Sequence, residues 1–140
     1  YADRILPYTN WARALKNIIL PPNGMGPEAF ILLCIDKTRT PNPAPVMRDV
    51  GISAQTMLLA ASEMRLGGCM LASFDNAKIK AELGLGDNID IVLAVALGKP
   101  GETVVLEEMG KDGSVNYYRD ETNTHHVPKR KLEDIVIEVK

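Results

Sequence analysis

Uncharged hydrophobic runs alternate along the chain with polar, proline-rich stretches. Residues 29–35 and 89–97 are almost unbroken apolar runs, each bounded by charged or turn-forming residues. Runs of this length are typical of buried β-strands, and we predict that 29–35 is a central strand covered on both faces. Residues 21–27 and 38–45 contain several prolines and are predicted loops.

Residues 46–66 show the spacing of a long helix, with an apolar stripe formed by Val50, Ala54, Met57, Leu58, Ala61 and Met64. Ile52 and Leu59 lie off this stripe, so the middle of the helix is apolar nearly all round. A helix without a polar face is buried in a large core or against another subunit, and the small chain favours the subunit. The following Gly67-Gly68 predicts a left-handed cap at the helix end.

Weaker patterns predict five more elements around a sheet. They are a helix over 5–19, a short strand over 69–72, a helix over 77–83, a hairpin and a C-terminal strand over 132–139. The 77–83 helix has N-cap candidates in residues 73–76 and ends at Gly84. The hairpin joins 103–106 to 115–118 around Lys111-Asp112-Gly113. The sequence therefore predicts a single α+β domain spanning residues 1–140.

Composition excludes several classes of protein. The 140 residues carry a net charge of −2 and no basic arm, which gives no reason to expect nucleic acid as a partner. No apolar run reaches the roughly 20 residues of a membrane span. Cys34 and Cys69 lie in apolar stretches, so we expect buried, reduced thiols and a cytoplasmic protein.

The segment from Gly67 to Asp75 is the first candidate binding site. Here a helix ends, a short strand follows and another helix begins at once, so the turn at Ala72-Ser73 is expected to present backbone N–H groups. Donors near a helix N-terminus suit an electron-rich ligand. An ordinary strand-to-helix connection is the alternative, and the local sequence alone favours it.

Two polar clusters lie near the C-terminus. Lys129-Arg130-Lys131 is the one compact basic cluster, either a phosphate site or a solvated turn ahead of acidic residues. His125-His126 could belong to a metal site, but a solvated or interface loop is the preferred interpretation. The side chains of adjacent residues on an extended chain point to opposite faces and so do not converge on one ion. We predict no metal site.

Three linked blocks resemble the nitroreductase family. Residues 49–61 (DVGISAQTMLLAA) are similar to the family's helix Asp-x-Gly-x-Ala-x-Gln-x-x-Leu-Leu-Ala-Ala. Residues 65–70 and 73–75 (RLGGCM and SFD) resemble its Gly-Leu-Gly-x-Cys and Phe-Asp blocks. Residues 91–100 resemble its strand ending in Gly-x-Pro. Order and spacing agree, and the resemblance runs from about Trp11 to the C-terminus.

The resemblance implies a nitroreductase-like α+β fold: a central, mainly antiparallel sheet flanked by helices, with a long buried central helix at a homodimer interface. It implies FMN in a groove between the two subunits. The family's backbone donors to the flavin N5/O4 edge map onto Leu71, Ala72 and Ser73. Its basic phosphate-binding residues map onto Lys129 and Arg130, and no catalytic side chain is implied.

The family's usual N-terminal flavin-binding segment, Arg-Arg-Ser-x-Arg followed by Pro-Ser-x-x-Asn-x-Gln-Pro, does not occur in these 140 residues. Because the chain opens at Tyr1, we expect a trimmed or partial product. The leading hypothesis is an FMN-dependent oxidoreductase passing electrons from NAD(P)H to a nitroaromatic, quinone or related acceptor. The alternatives are a flavin-binding or vestigial module without turnover, a truncated chain that binds no flavin, and reductive dehalogenation on the same fold.

Overall fold

A computed structural model describes residues 1–12, 15 and 18–138. The chain forms two compact units, of which the first comprises Tyr1–Trp11 and Ile19–Pro100 and the second Ala12–Ile18 and Gly101–Lys140. Each unit is described by itself. The single domain over residues 1–140 stays a prediction.

The first unit combines three α-helices, two 3₁₀ turns and one antiparallel sheet. The helices are α1 (Ala2–Ile5), α2 (Met47–Glu63) and α3 (Asn76–Leu83), and the 3₁₀ turns are Leu6–Tyr8 and Ala44–Val46. The strands are β1 (Ala29–Asp36), β2 (Gly67–Leu71) and β3 (Ile89–Gly98). The strands predicted at 29–35 and 89–97 are therefore confirmed, as are the two proline-rich connections.

The strand order in this sheet is β1-β3-β2, which makes β3 the central strand. Ala94, Val95 and Ala96 of β3 are at most 2% exposed, as expected for a strand covered on both faces. The prediction that residues 29–35 form the central strand is wrong: β1 pairs with β3 along one side only. A short apolar run shows that a strand has apolar faces but not how many neighbours it has.

Helix α2 confirms the long helix, but the predicted cap is wrong. The left-handed residue is Arg65, with φ 61°, and not Gly67 or Gly68. The N–H of Leu66 donates to the Ala61 carbonyl at 2.8 Å and that of Arg65 to the Ser62 carbonyl at 2.9 Å, the two bonds of a Schellman motif. Gly67 and Gly68 are already paired in β2 with β3.

One face of α2 packs inward, and there Ala54 and Ala61 are 0% and 5% exposed. On the other face Ile52 and Leu59 are 66% and 62% exposed. A single chain therefore buries only one face of α2.

Helix α3 confirms its prediction at both ends. The carboxylate of Asp75, the N-cap residue, accepts a hydrogen bond from the Lys78 N–H at 3.1 Å. Gly84 closes the helix with φ 65°, a conformation that glycine adopts without steric cost. Between these ends Ile79 is fully buried and packs with Ile5 and Ile91.

The helix predicted over 5–19 is wrong where the structure describes it. After the turn Leu6–Tyr8, Thr9 is extended, with φ −103° and ψ 151°, and forms a β-bridge with Phe74. The Thr9 hydroxyl donates to the Leu6 carbonyl at 2.7 Å and accepts from the Trp11 indole at 2.8 Å. These bonds offer the backbone an alternative to helix. The predicted positions 13, 14, 16 and 17 lie outside the described residues.

The second unit contains a three-stranded sheet and one short helix. Its elements are β4 (Val104–Glu108), β5 (Tyr118–Arg119), β6 (His125–Lys129) and α4 (Leu132–Ile135). The order is β4-β6-β5, with β4 parallel and β5 antiparallel to β6. The hairpin between 103–106 and 115–118 is therefore wrong. A turn does form, with Gly113 at φ 73°, but β4 before it and β5 after it both pair with β6 and not with each other.

The C-terminal strand over 132–139 is also wrong where the structure describes it, because α4 occupies its first half. Lys131 is the N-cap, and Glu133 and Asp134 lie in the first turn, where negative charge is favourable. Residues 136–138 are not in a strand, and Val139 lies outside the described residues.

The mixture of helices with antiparallel pairing confirms the α+β class. Among the described residues no helix is long and apolar enough to cross a membrane. Cys34 and Cys69 are not joined in a disulfide, and Cys34 is exposed rather than buried as expected.

Candidate functional site

The predicted flavin-edge residues form the exit from β2. Leu71 is the last residue of the strand, pairs with Ala94 and is 8% exposed. Ala72 is exposed and Ser73 is half-buried, so the chain rises from the core to the surface over three residues. Leu71 therefore anchors a turn whose next two backbone amides lie near solvent.

The N-terminal segment holds this turn through backbone bonds. The Asn10 N–H donates to the Ser73 carbonyl at 2.9 Å, and the Asp75 N–H donates to the Tyr8 carbonyl at 2.8 Å. Together with the bridge from Thr9 to Phe74, these bonds make residues 8–10 a short strand-like neighbour of 73–75. The turn is therefore fixed on one side by the chain itself.

The N–H groups of Ala72 and Ser73 donate no hydrogen bond to the residues that the structure describes. Helix α3, by contrast, is capped by its own Asp75. Hydrogen bonds from Lys78, first from its ammonium and then from its N–H, hold the pKa of this carboxylate below its usual range. The donors available to a ligand are thus the two amides ahead of the helix, and not the helix N-terminus.

Gly68 explains why the chain can pack closely beneath this turn. A Cβ at Gly68 would lie 2.7 Å from a methyl group of both Leu58 and Leu97, and 2.9 Å from the Ala96 carbonyl oxygen. Real side chains do not approach so closely. The glycine is therefore required by packing between α2 and the sheet, rather than by a left-handed conformation.

The predicted phosphate-binding residues lie at the end of β6. Lys129 and Arg130 are both exposed and form no ion pair with the described residues. Lys131, in contrast, is 3.2 Å from a Glu108 carboxylate oxygen and 3.9 Å from one of Glu133. An open groove of about 440 Å³ is lined by these basic residues and by residues 106–108 of β4. Two of the three cations are therefore available to an anion.

A third cluster, around His125 and His126, is not predicted by the sequence, which favours a loop there. Both residues belong to β6, and their side chains lie on opposite faces, as expected for an extended chain. His125 contacts Tyr117, whereas His126 stacks on Tyr118. Among the described residues no group of three or more His, Cys, Asp or Glu is arranged to hold a metal ion.

The site residues thus form two sets in separate units, residues 71–73 in the first and Lys129-Arg130 in the second. The first set offers uncharged donors on an exposed turn, which suit the electron-rich edge of a ring. The second offers an ammonium and a guanidinium, which suit a phosphate.

Comparison with known proteins identifies the family of the chain. The model of the nitroreductase family matches residues 14–99, a stretch that contains α2, the turn after β2 and the central strand β3. Oxidoreduction, in general with a flavin, is the chemistry of that family. Because the match covers more than half of the 140 residues, the chain belongs to the nitroreductase family.

Proposed function

We propose that the protein is an FMN-dependent oxidoreductase that passes electrons from NAD(P)H through the flavin to a nitroaromatic, quinone or related acceptor. The observation that carries the proposal is the pair of N–H groups at Ala72 and Ser73, which donate to none of the described residues and lie inside the stretch matched by the family. When bound, FMN supplies the electron transfer itself, and the protein supplies binding, orientation and electrostatics.

The backbone around the β2 exit would orient the ring. Leu71 fixes the turn in the sheet, and the N–H groups of Ala72 and Ser73 would donate to the acceptor atoms at the flavin N5/O4 edge. Fixed backbone donors stabilise negative charge that develops on a bound group, and they need no rearrangement to do so. No acid, base or nucleophilic side chain is required, and we nominate none.

Lys129 and Arg130 would hold the FMN phosphate. Both lack a carboxylate partner among the described residues, so a phosphate would not have to displace an existing ion pair. Arginine offers a planar fork of donors and lysine a compact charge, and both suit phosphate oxygens.

We also propose a homodimer that buries the outer face of α2. Ile52 and Leu59 are one above the other on this face and are more than 60% exposed in the single chain. A Cβ at Gly51 would meet nothing within 4 Å, so the glycine leaves room for a second chain.

Replacing Ile52 with Glu should shift the protein to monomer in analytical ultracentrifugation. The matched control is Val115→Glu, at an exposed position of the second unit, and a dimer that survives Ile52→Glu would contradict this interface.

The decisive experiment combines FMN titration with enzyme kinetics. We expect purified protein to bind FMN, to retain flavin absorbance after gel filtration and to oxidise NADH or NADPH when a quinone or nitroaromatic is added. Flavin binding without NAD(P)H oxidation would favour the alternative, a non-catalytic flavin-binding module. Protein that stays colourless with added FMN would contradict both.

The phosphate contact is tested by comparing FMN with riboflavin, which lacks the phosphate. A charged hydrogen bond contributes about 1.5–3 kcal/mol, so Lys129→Ala or Arg130→Ala should weaken FMN binding roughly 10- to 150-fold. Riboflavin binding should be unchanged. Lys111→Ala removes a charge from an exposed turn of the same unit and is the control. Equal losses for FMN and riboflavin would show that these residues do not bind the phosphate.

A further inference from the structure

His126 is held between two carboxylates that come from different parts of the second unit. Its Nδ1 is 3.2 Å from Oε2 of Glu107 on β4, and its Nε2 is 3.1 Å from Oδ2 of Asp120, which follows β5. The ring of Tyr118 stacks on the imidazole with centroids 4.7 Å apart and the planes 4° from parallel. The His126 side chain is 18% exposed, and the side chains of Glu107 and Asp120 are 34% and 37% exposed.

This geometry selects one protonation state of the imidazole. A neutral imidazole has one N–H, so one of its nitrogens would turn a lone pair towards a carboxylate oxygen. The imidazolium donates through both nitrogens and satisfies both carboxylates. The hydrogen bond that His126 donates to Asp120, and after it the one that it donates to Glu107, raise the pKa of His126.

Asp120 is itself fixed as an anion. Its other oxygen, Oδ1, accepts from the N–H and hydroxyl of Thr122 at 2.9 and 2.8 Å, and from the Thr124 N–H at 2.9 Å. The Thr122 and His126 hydrogen bonds lower the pKa of Asp120 to about 2. The carboxylate therefore stays charged over the range in which a histidine titrates.

We propose that the His126 imidazolium is a pH-sensitive tie that fastens β4 to the turn between β5 and β6. Each of the two hydrogen bonds crosses between elements, and His126 itself lies on the central strand β6. Deprotonation removes one of the bonds and loosens the sheet at one side. The tie does not depend on flavin binding.

Three titratable side chains of the described residues face His126. Glu107 faces His126 from β4, Asp120 faces it from the turn, and Tyr118 covers it from β5. Interaction with Glu107 raises the pKa of Tyr118, so the phenol stays neutral when the histidine titrates. The opposite face of the sheet holds a separate group, in which Glu102 pairs with Arg119 and approaches His125.

The sign of the effect follows from the raised pKa. Stabilisation by the tie is complete below the ordinary histidine pKa of about 6.5 and is lost as pH rises through the higher value in the folded protein. The second unit should therefore loosen on the alkaline side. Ordinary loss of carboxylate interactions acts in the opposite direction, on the acid side.

The test follows the His126 ring by NMR in the full chain, together with amide protection factors for Val105 and Val127 on β4 and β6. We expect a titration midpoint above 6.5, and a fall in protection as pH passes through that midpoint. Asp120→Asn should lower the midpoint. His126→Gln should abolish the pH dependence of protection, whereas His125→Gln, on the other face, should keep it.

Two results would overturn the proposal. One is a midpoint at or below 6.5 in the wild-type chain, which needs no variant to fold. The other is the same alkaline loss of protection in folded His126→Gln as in the wild-type protein.

Discussion

Replacing Gly68 with alanine tests the packing between α2 and the sheet. The added Cβ would lie 2.7 Å from Leu58 and Leu97 methyl groups and 2.9 Å from the Ala96 carbonyl oxygen. The leucine side chains can rotate, but the carbonyl belongs to the central strand and cannot move alone. Inserting a methyl group into a close-packed core costs about 1–3 kcal/mol, and the backbone contact places this case in the upper half.

A smaller gain opposes this cost. Glycine within a strand is less favourable than alanine by about 0.5–1 kcal/mol, because it loses more conformational entropy on folding. Subtracting this gain leaves a net loss of about 1–2.5 kcal/mol for Gly68→Ala. With a urea slope of ~2 kcal/mol/M, the unfolding midpoint should fall by roughly 0.5–1.2 M.

Trp11 provides the assay. It is the one tryptophan of the chain and packs against the cluster of Leu71, Ala94 and Ala96, so its fluorescence reports unfolding of the first unit. Gly67→Ala, on the same strand, is the matched control, since its Cβ would come no closer than 3.5 Å to Pro100, an ordinary contact. This change should stabilise the protein by about 0.5–1 kcal/mol. If Gly68→Ala is as stable as the wild type, or if both variants change stability equally, the packing argument is wrong.

Two further changes test the surroundings of the same turn. Ile79→Ala should lower the free energy of unfolding by about 2–5 kcal/mol in urea titration, and Ile79→Val by about 0.5–1.5, because the side chain is fully buried; a loss below that of Ile79→Val would contradict the assigned core. Asp75→Ala should lower the melting temperature at pH 7, because it removes the cap of α3. The lowered pKa of Asp75 makes this stabilisation present above its unfolded pKa and lost as pH falls through its folded pKa, so the difference in melting temperature should shrink as the pH is lowered. A difference that does not change with pH would mean that the cap does not depend on the carboxylate charge.

Elements specified by neighbouring residues could be predicted from the sequence. Helix α3 is an example, because its Asp75 cap, its apolar spacing and its closing Gly84 lie within ten residues. The apolar run of β3 was equally clear. The turn at residues 71–73 could be located for the same reason, although the local pattern alone could not distinguish a binding site from an ordinary connection.

Elements specified by distant partners could not be predicted in this way. β4 pairs in parallel with β6, some twenty residues further along, and the local turn around Gly113 suggested the wrong partner. Thr9 leaves the helical pattern because it pairs with Phe74. Gly68 was interpreted as a cap, since the contacts that require a glycine there come from Leu58 and Leu97.

The bracing of the 73–75 turn by residues 8–10 depends on main-chain atoms. Side-chain substitutions in this segment should therefore leave the brace in place, since any residue except proline offers the same N–H and C=O groups. Chain length is different: an insertion or deletion between Ile5, which is anchored in the core, and Asn10 would shift the donors relative to the Ser73 carbonyl. We therefore expect relatives of this chain to keep the length of this segment more strictly than its residues. A constraint on segment length is difficult to detect from the identities of the residues alone.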